Sequence, residues 1–383
     1  MRSFLRAIAR FLREADIFLL VLGLISTVIG VFLIYSVSAE VRTNGNEVYV
    51  QLGALVIGIA LFVMFSYLDI DIIADKSGFL MVFSVLFIFT LYFWGYGMEE
   101  VGNNSWLRFW GIGIQPAEVV KVPFTIIVAK MIANFKERKS LNSFVSLLQI
   151  FAVFLVLFGL ILVVSADLGS ALVYLFILIA MLFVGGVKFR WFLLGGAIIA
   201  ALSPLLWFNY FTENQRNRIM APLLPNLMDT YSLDKVMWHA RQSVQAISSG
   251  GFLGKGYGSG RMTQRGLIPA QHTDFIFSAA GEEFGFVGCM FVVILLVAII
   301  IRCIYVGVKS NNSLGMLVCV GLASMFMVQT VENIGMCLAL LPVIGITLPF
   351  FSYGGSSIVT CFAALGIVSG IKIRPKTARF RTL

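Results

Sequence analysis

Charge is what this 383-residue chain has least of: Asp, Glu, Lys and Arg together make up 12% of it, where soluble domains carry about 25%. Hydrophobic residues account for 59%. That balance excludes a soluble globular enzyme and predicts an integral membrane protein. Histidine is scarcer still. His239 and His272 lie far apart and without cysteine companions, which argues against a structural zinc site. Cys289, Cys303, Cys319, Cys337 and Cys361 form no CxxC pair and fall inside or beside apolar runs, so they are expected to act as small hydrophobes. The first apolar run lacks a small-residue cleavage site followed by a soluble domain, and it is expected to stay as a spanning helix. No internal repeat of the kind that marks many transporters is visible.

What is present is a series of apolar windows, near 17–39, 48–67, 78–97, 116–133, 142–164, 168–187, 190–209, 284–308, 313–341 and 354–373. They predict an all-α polytopic bundle of about ten transmembrane helices, taken as a single membrane domain over 1–383. The window 116–133 is the weakest, since it holds Glu118, Lys121 and Lys130. Without it the positive charges no longer sort by side. With it, Arg2, Arg6, Arg10, Arg13, Lys76, the 136–139 cluster, Lys188, Arg190, Arg302, Lys309 and the basic C-terminal tail share one side, and only Arg42 and Arg108 lie in short loops on the other. The positive-inside rule then places both termini in the cytoplasm, although Asp69, Asp71 and Asp75 share a loop with Lys76. The net charge of +9 reads as topology and attraction to lipid, with no nucleic acid implied. The one long loop, about 210–283, falls on the extracytoplasmic side between helices 7 and 8.

Charged groups inside a bilayer are costly and usually face an interior or a wet cavity. Glu118 and Lys121 are three residues apart, so they share a helix face and can pair, either as a packing ion pair or as the lining of a cavity. Lys130 lies near half a turn out of phase and can snorkel. Pro116 suits a first helical turn, which puts the pair near the outer end of its span, close to Trp106 and Arg108. The large loop adds Arg216 and Arg218 in "QRNRIM", then "SSGGFLGKGYGSG". This is no P-loop, because Gly256 follows Lys255 and no strand precedes it. It can be an anion nest with Lys255, or simply a flexible loop. Asp274 in "PAQHTDFIFSAAGEE", two residues after His272, suits either of two roles. Thr273 or Asp274 can cap a helix leading to Glu282 and Glu283. Alternatively Asp274 is a base in a transfer whose leaving group is a stable phosphate anion, for which one carboxylate and a set of cations suffice. Downstream, "ENIGMCLALLPVIGITLPFFSYGGSS" predicts a broken element lining a cavity, with Glu332 and Asn333 as its polar residues.

These motifs, with "WLRFWGIGIQPAEVVK" and "ADLGSALV", are similar over almost the whole chain to the SEDS glycosyltransferases (shape, elongation, division and sporulation). "NIGM" and "PAQHTDFIF" resemble the elongation branch, RodA, more than the division branch, FtsW. The resemblance implies polymerisation of lipid II into glycan strands at the outer leaflet of a bacterial cytoplasmic membrane, with release of undecaprenyl pyrophosphate. It implies a class B penicillin-binding protein as partner, together with other elongation-complex membrane proteins. It also implies Asp274 as the essential acid, Trp106, Arg108, Gln115, Glu118 and Lys121 in the cavity, and Arg216, Arg218 and Lys255 as loop cations, with His272 beside the acid. A divalent cation (Mg or Mn) on the pyrophosphate is compatible with this chemistry, though no carboxylate cluster demands one. The sequence departs from the family pattern in four places. Ala117 replaces the usual Ser of the QPSE motif, "SADLGSA" lacks Gln-Pro before Asp167, the stretch around "LPNLMDTYSLDKVMWHARQS" is altered, and Glu332 replaces an uncharged residue. A lipid II flippase and a noncatalytic scaffold are the competing expectations.

Overall fold

A computed structural model describes residues 11–38, 46–97, 104–109, 112–209 and 211–373. The basic residues Arg2, Arg6, Arg10 and Arg42 and those of the tail beyond 373 lie outside the described residues. Ten long helices follow one another: α1 Ile17–Ser38, α2 Asn46–Tyr67, α3 Ser77–Trp94, α4 Pro116–Glu137, α5 Phe144–Leu160, α6 Leu168–Gly185, α7 Phe189–Asn209, α8 Ile276–Lys309, α9 Ser313–Cys337 and α10 Gly355–Ile373. All but α4 are long and apolar enough to cross a membrane by composition alone. The exception carries Glu118, Lys121 and Lys130, yet it is among the most deeply packed helices, which is why hydropathy undervalues it. Pro116 occupies its first turn, where a missing N–H removes no helical bond. The chain is a multi-pass membrane protein.

The bundle is layered by burial. Helices α4, α9 and α10 form its centre, and α3, α5 and α7 expose large apolar side chains such as Phe93, Leu155 and Phe208 to lipid. Close approach at the centre depends on small residues. Gly366 packs on the backbone of Phe62, where an added Cβ would come within 2.7 Å of the Phe62 carbonyl. All five cysteines are free and buried, as their apolar settings predict.

Three departures from the sequence expectation bear on the site. The stretch before α4 forms a small antiparallel sheet of β1 Gly95–Tyr96, β2 Trp106–Phe109 and β3 Ile112–Ile114, in that order. Helix α8 starts at Ile276, ahead of the expected 284, and is broken at Gly285, whose φ is 65°. The long loop holds two helices of more than ten residues, Glu213–Leu223 and Thr230–Gly250, and a short one at Arg261–Gln264, the first fixed by a capping box between Thr212 and Gln215. As expected, the run after α9 is irregular and resumes as helix only at Gly355.

At one end of the bundle, Asp16 before α1 is fully buried. It accepts from Arg302 of α8 at 2.9 Å and lies 3.6 Å from Lys372 of α10, and its backbone amide donates to Ser369. At the other end the starts of α2, α4, α6, α8 and α10 converge on a cavity.

Candidate functional site

The cavity has a volume of about 400 Å³. Six of the sequence-predicted site residues line it: Trp106, Arg108, Gln115, Glu118, His272 and Asp274. The β-sheet supplies the first two. Gly113 stands opposite Arg108 in register, and a Cβ there would meet the Trp106 ring at 3.1 Å, so the missing side chain lets the indole lie against the strand. The Arg108 guanidinium sits 4.1 Å from the centre of the Tyr96 ring, an attraction of roughly 0.5–1 kcal/mol at an exposed site.

Helix α4 contributes Gln115, its N-cap residue, and Glu118 in its first turn. Glu118 and the fully buried Lys121 pair directly, as the spacing predicts, and Gln329 of α9 approaches the other Glu118 oxygen at 3.5 Å. Lys121 thus lies behind Glu118, outside the cavity lining. The buried Tyr174 hydroxyl donates to the Ala117 carbonyl at 2.7 Å and fixes this turn against α6. No hydroxyl at position 117 takes part in these contacts.

Asp167 is the functional candidate that the sequence reading left unassigned. It caps α6, accepting from the Ser170 backbone amide at 2.9 Å and hydroxyl at 2.8 Å, and it also accepts from the Gln115 side-chain amide at 2.9 Å. Burial pushes its carboxyl up, while the Ser170 bonds oppose that. The chain reaches it through a π-helical turn, Ile161–Ser165, and a left-handed Ala166 with φ 53°, where the family's Gln-Pro is missing. The signal in sequence was an acid immediately before an apolar run, which reads first as an ordinary cap.

Asp274 does not cap α8. The capping position is Phe275, without a side-chain bond. No hydrogen bond from a described residue reaches the Asp274 carboxylate, and burial, with a smaller contribution from Asp167, raises it to about 6. Gly345, φ 71°, faces it. A Cβ there would sit 3.4 Å from the Asp274 Oδ2 atom. The His272 ring is 5.8 Å from that of Tyr353, and burial lowers its basicity while Glu47 opposes that.

The remaining predicted cations lie elsewhere. Arg216 donates to the Phe211 carbonyl at 3.0 Å and Arg218 is exposed on the same loop helix; neither lines the cavity. Lys255 pairs with the buried Glu282 at 3.1 Å. The glycine-rich loop is not an open anion nest, because the Lys255 and Gly256 amides donate to the Glu282 and Glu283 carbonyls at 3.0 Å each. The break at Gly285 leaves the amides of Phe286 and Val287 free to bond the Gly251 and Phe252 carbonyls in return. Glu332 does not line the cavity. Asn333 is buried beside it, behind the wall. Among the described residues, no group of three or more His, Cys, Asp or Glu side chains gathers to hold a metal.

Comparison with known proteins gives a consistent result. The model of the family described as "Cell cycle protein" (FtsW, RodA, SpoVE) matches residues 16–377. The chain is 28% identical to the peptidoglycan glycosyltransferase MrdB of Escherichia coli K12, covering 90% of this chain and 91% of that one. It is 32% identical to a probable peptidoglycan glycosyltransferase FtsW of Bacillus subtilis, over 84% and 80%. A solved structure described as "Structural coordination of polymerization and crosslinking by a peptidoglycan synthase complex" superposes with a TM-score of 0.79 at 27% identity, covering 94% of this chain and 97% of that one. The rod shape determining protein RodA of Thermus thermophilus superposes at 0.67 with 25% identity, over 94% and 96%.

Proposed function

The chain belongs to the FtsW/RodA/SpoVE family, and from that premise we propose that it is a peptidoglycan glycosyltransferase that polymerises lipid II for cell elongation. One observation carries the reading most: Asp274 presents to a cavity a carboxylate that accepts no hydrogen bond from a described residue, raised to about 6 and therefore a base near neutral pH. In this reading the GlcNAc 4-hydroxyl of lipid II attacks C1 of the MurNAc at the reducing end of the growing strand. Asp274 takes the hydroxyl proton, the new glycosidic bond forms with inversion, and the C1–oxygen bond breaks, its electron pair leaving on undecaprenyl pyrophosphate.

Arg108, on the lining, is the cation best placed for the pyrophosphate, with Lys121 adding positive charge behind Glu118. Arg216 and Arg218 are assigned to the lipid headgroup on its way in, and Lys255 to holding its loop. Gln115 and Trp106 present a donor and an apolar face to the sugars, and His272 shapes the wall beside the base. A divalent cation would arrive on the pyrophosphate. Mg²⁺ is commonly held by one or two carboxylates plus phosphate oxygens; besides the base, the lining carboxylates are Glu118 and Asp167, and both already hold protein donors. We place the chain in the bacterial cytoplasmic membrane as one unit, both termini inside and the cavity outside, with a class B penicillin-binding protein and other elongation-complex membrane proteins as its partners.

The test is glycan polymer formed from lipid II by the purified chain with its transpeptidase partner. Polymer from the wild type, with Asp274→Ala reduced at least about 10³-fold, is the expected result. Undiminished polymer from Asp274→Ala sinks the assignment of the base, and no polymer from the wild type under any partner condition returns the case to a lipid II flippase.

A further inference from the structure

The stretch from Ala270 to Phe275 belongs to no helix or strand, yet it has to hold the base of the transfer still. Three consecutive carbonyls do this. The His272 carbonyl accepts from the Tyr353 amide at 2.8 Å, the Thr273 carbonyl from the Ser352 hydroxyl at 2.6 Å, and the Asp274 carbonyl from the Asn333 side-chain amide at 2.7 Å. All three donors belong to α9 or to the irregular run after it. Asn333 does more than the other two, because its amide also donates to the Ile346 carbonyl at 2.7 Å.

An amide nitrogen has two hydrogens, and both are used here. Ile346 adjoins Gly345, the residue that faces the Asp274 carboxylate. One fully buried side chain therefore links the backbone that bears the acid to the backbone of the wall opposite it. Asn333 touches no space in the cavity itself. We propose that Asn333 is a positioning residue of the transfer, a clamp that sets the separation between the Asp274 carboxylate and the wall at Gly345.

The proposal rests on the reading of Asp274 as the base. Loss of the clamp leaves the Ile346 carbonyl without its donor and the Asp274 carbonyl with only the Cys337 thiol, at 3.7 Å, and lets the acid-bearing stretch drift. A displacement of about 1 Å in a reacting group costs on the order of 10² in rate. Substrate contacts, which come from Trp106, Arg108 and Gln115, stay in place.

The experiment measures lipid II polymerisation by the full chain with its transpeptidase partner, normalised to folded protein, for Asn333→Ala, Asn333→Asp, Asn333→Gln and Ser352→Ala. Asn333→Ala and Asn333→Asp are expected to lower kcat at least about 10-fold with KM for lipid II changed less than about threefold. Aspartate offers an acceptor to two acceptors and should be at least as harmful as alanine. Asn333→Gln, which keeps the donors, should recover part of kcat. Ser352→Ala, which removes one of the three ties, should lose less; it carries the test alone if the Asn333 variants do not fold. Wild-type kcat in Asn333→Ala, or a loss carried entirely by KM or by the folded fraction with no recovery in Asn333→Gln, overturns the clamp. If Ser352→Ala is the variant that survives, wild-type kcat there overturns it. Active Asp274→Ala would instead remove the base on which the clamp acts, so the two failures are told apart by that one control.

Discussion

Asp274 and Glu282 lie eight positions apart in number, close to the start of the same helix, and they have opposite fates. Glu282 is fully buried and saturated. It accepts from the Met262 amide at 3.0 Å, the Thr263 amide at 2.8 Å, the Thr263 hydroxyl at 2.7 Å and Lys255 at 3.1 Å. Asp274 accepts nothing from described protein groups and faces a cavity. A carboxylate whose lone pairs are all satisfied is a structural strut. One that is desolvated and unsatisfied has a raised proton affinity and can take a proton from a substrate. In the proposed reading the glycine-rich loop serves stability and the HTD stretch serves chemistry.

Measurements at four positions would break or sharpen that contrast. The largest effect expected is on the folding of Glu282→Ala. Removing one partner of a buried, bonded charge leaves Lys255 and the amides unpaired and should cost about 3–5 kcal/mol, read as a fall in melting temperature in detergent. Lys255→Met, by the same reasoning, should hurt stability less, since Lys255 is partly exposed, and should leave the KM for lipid II near wild type. If Lys255→Met raises KM strongly while the fold holds, the loop binds substrate after all.

Next comes Asp274→Asn. Its folded carboxyl is raised from 3.8 to about 6, so the stability present below the unfolded value is lost as pH rises through 6. Asn should therefore melt higher than wild type at pH 8, by up to about 1–3 kcal/mol, and little differently at pH 4, while activity is lost at both. Wild-type activity should correspondingly fall about tenfold per pH unit below 6, since the base must be ionised. An activity profile flat down to pH 4.5 would contradict a raised base.

The smallest effect belongs to Gly345→Ala. A left-handed φ costs a non-glycine residue roughly 1–2 kcal/mol, and the added methyl lies at ordinary contact distance from the Asp274 oxygen. A modest fall in melting temperature with a larger fall in kcat is expected. Unchanged kcat would mean that the wall opposite the base tolerates a side chain.

Much of this was legible in the sequence because it depends on local pattern. Apolar length gave nine of the ten long helices and the sorting of positive charge gave α4, three-residue spacing gave the Glu118–Lys121 pair, and Gly and Pro in an apolar run gave the break after α9. What was not legible depends on contacts between distant segments. Asp274, Asp167, Glu282 and Glu283 are equivalent as letters. Which of them is saturated is decided by Met262, Thr263, Ser170 and Gln115 arriving from elsewhere in the chain. The glycines of "SSGGFLGKGYGSG" similarly promised free amides, and only the break at Gly285 reveals the carbonyls that occupy them. The small sheet before α4 was missed because strands of two to four residues carry no periodic signal.

The Asp16 cluster has a consequence for how the protein is made. This acid enters the membrane surface with the first helix, but its Arg302 partner is 286 residues further along and Ser369 is 353 residues further along. During synthesis the carboxylate must wait at the water interface, because burial without a partner is costly. Only when α8 and α10 have inserted can α1 settle to its final depth. The first of the ten long helices is thus among the last to be locked, and a chain truncated before α10 should leave that end of the bundle unlatched.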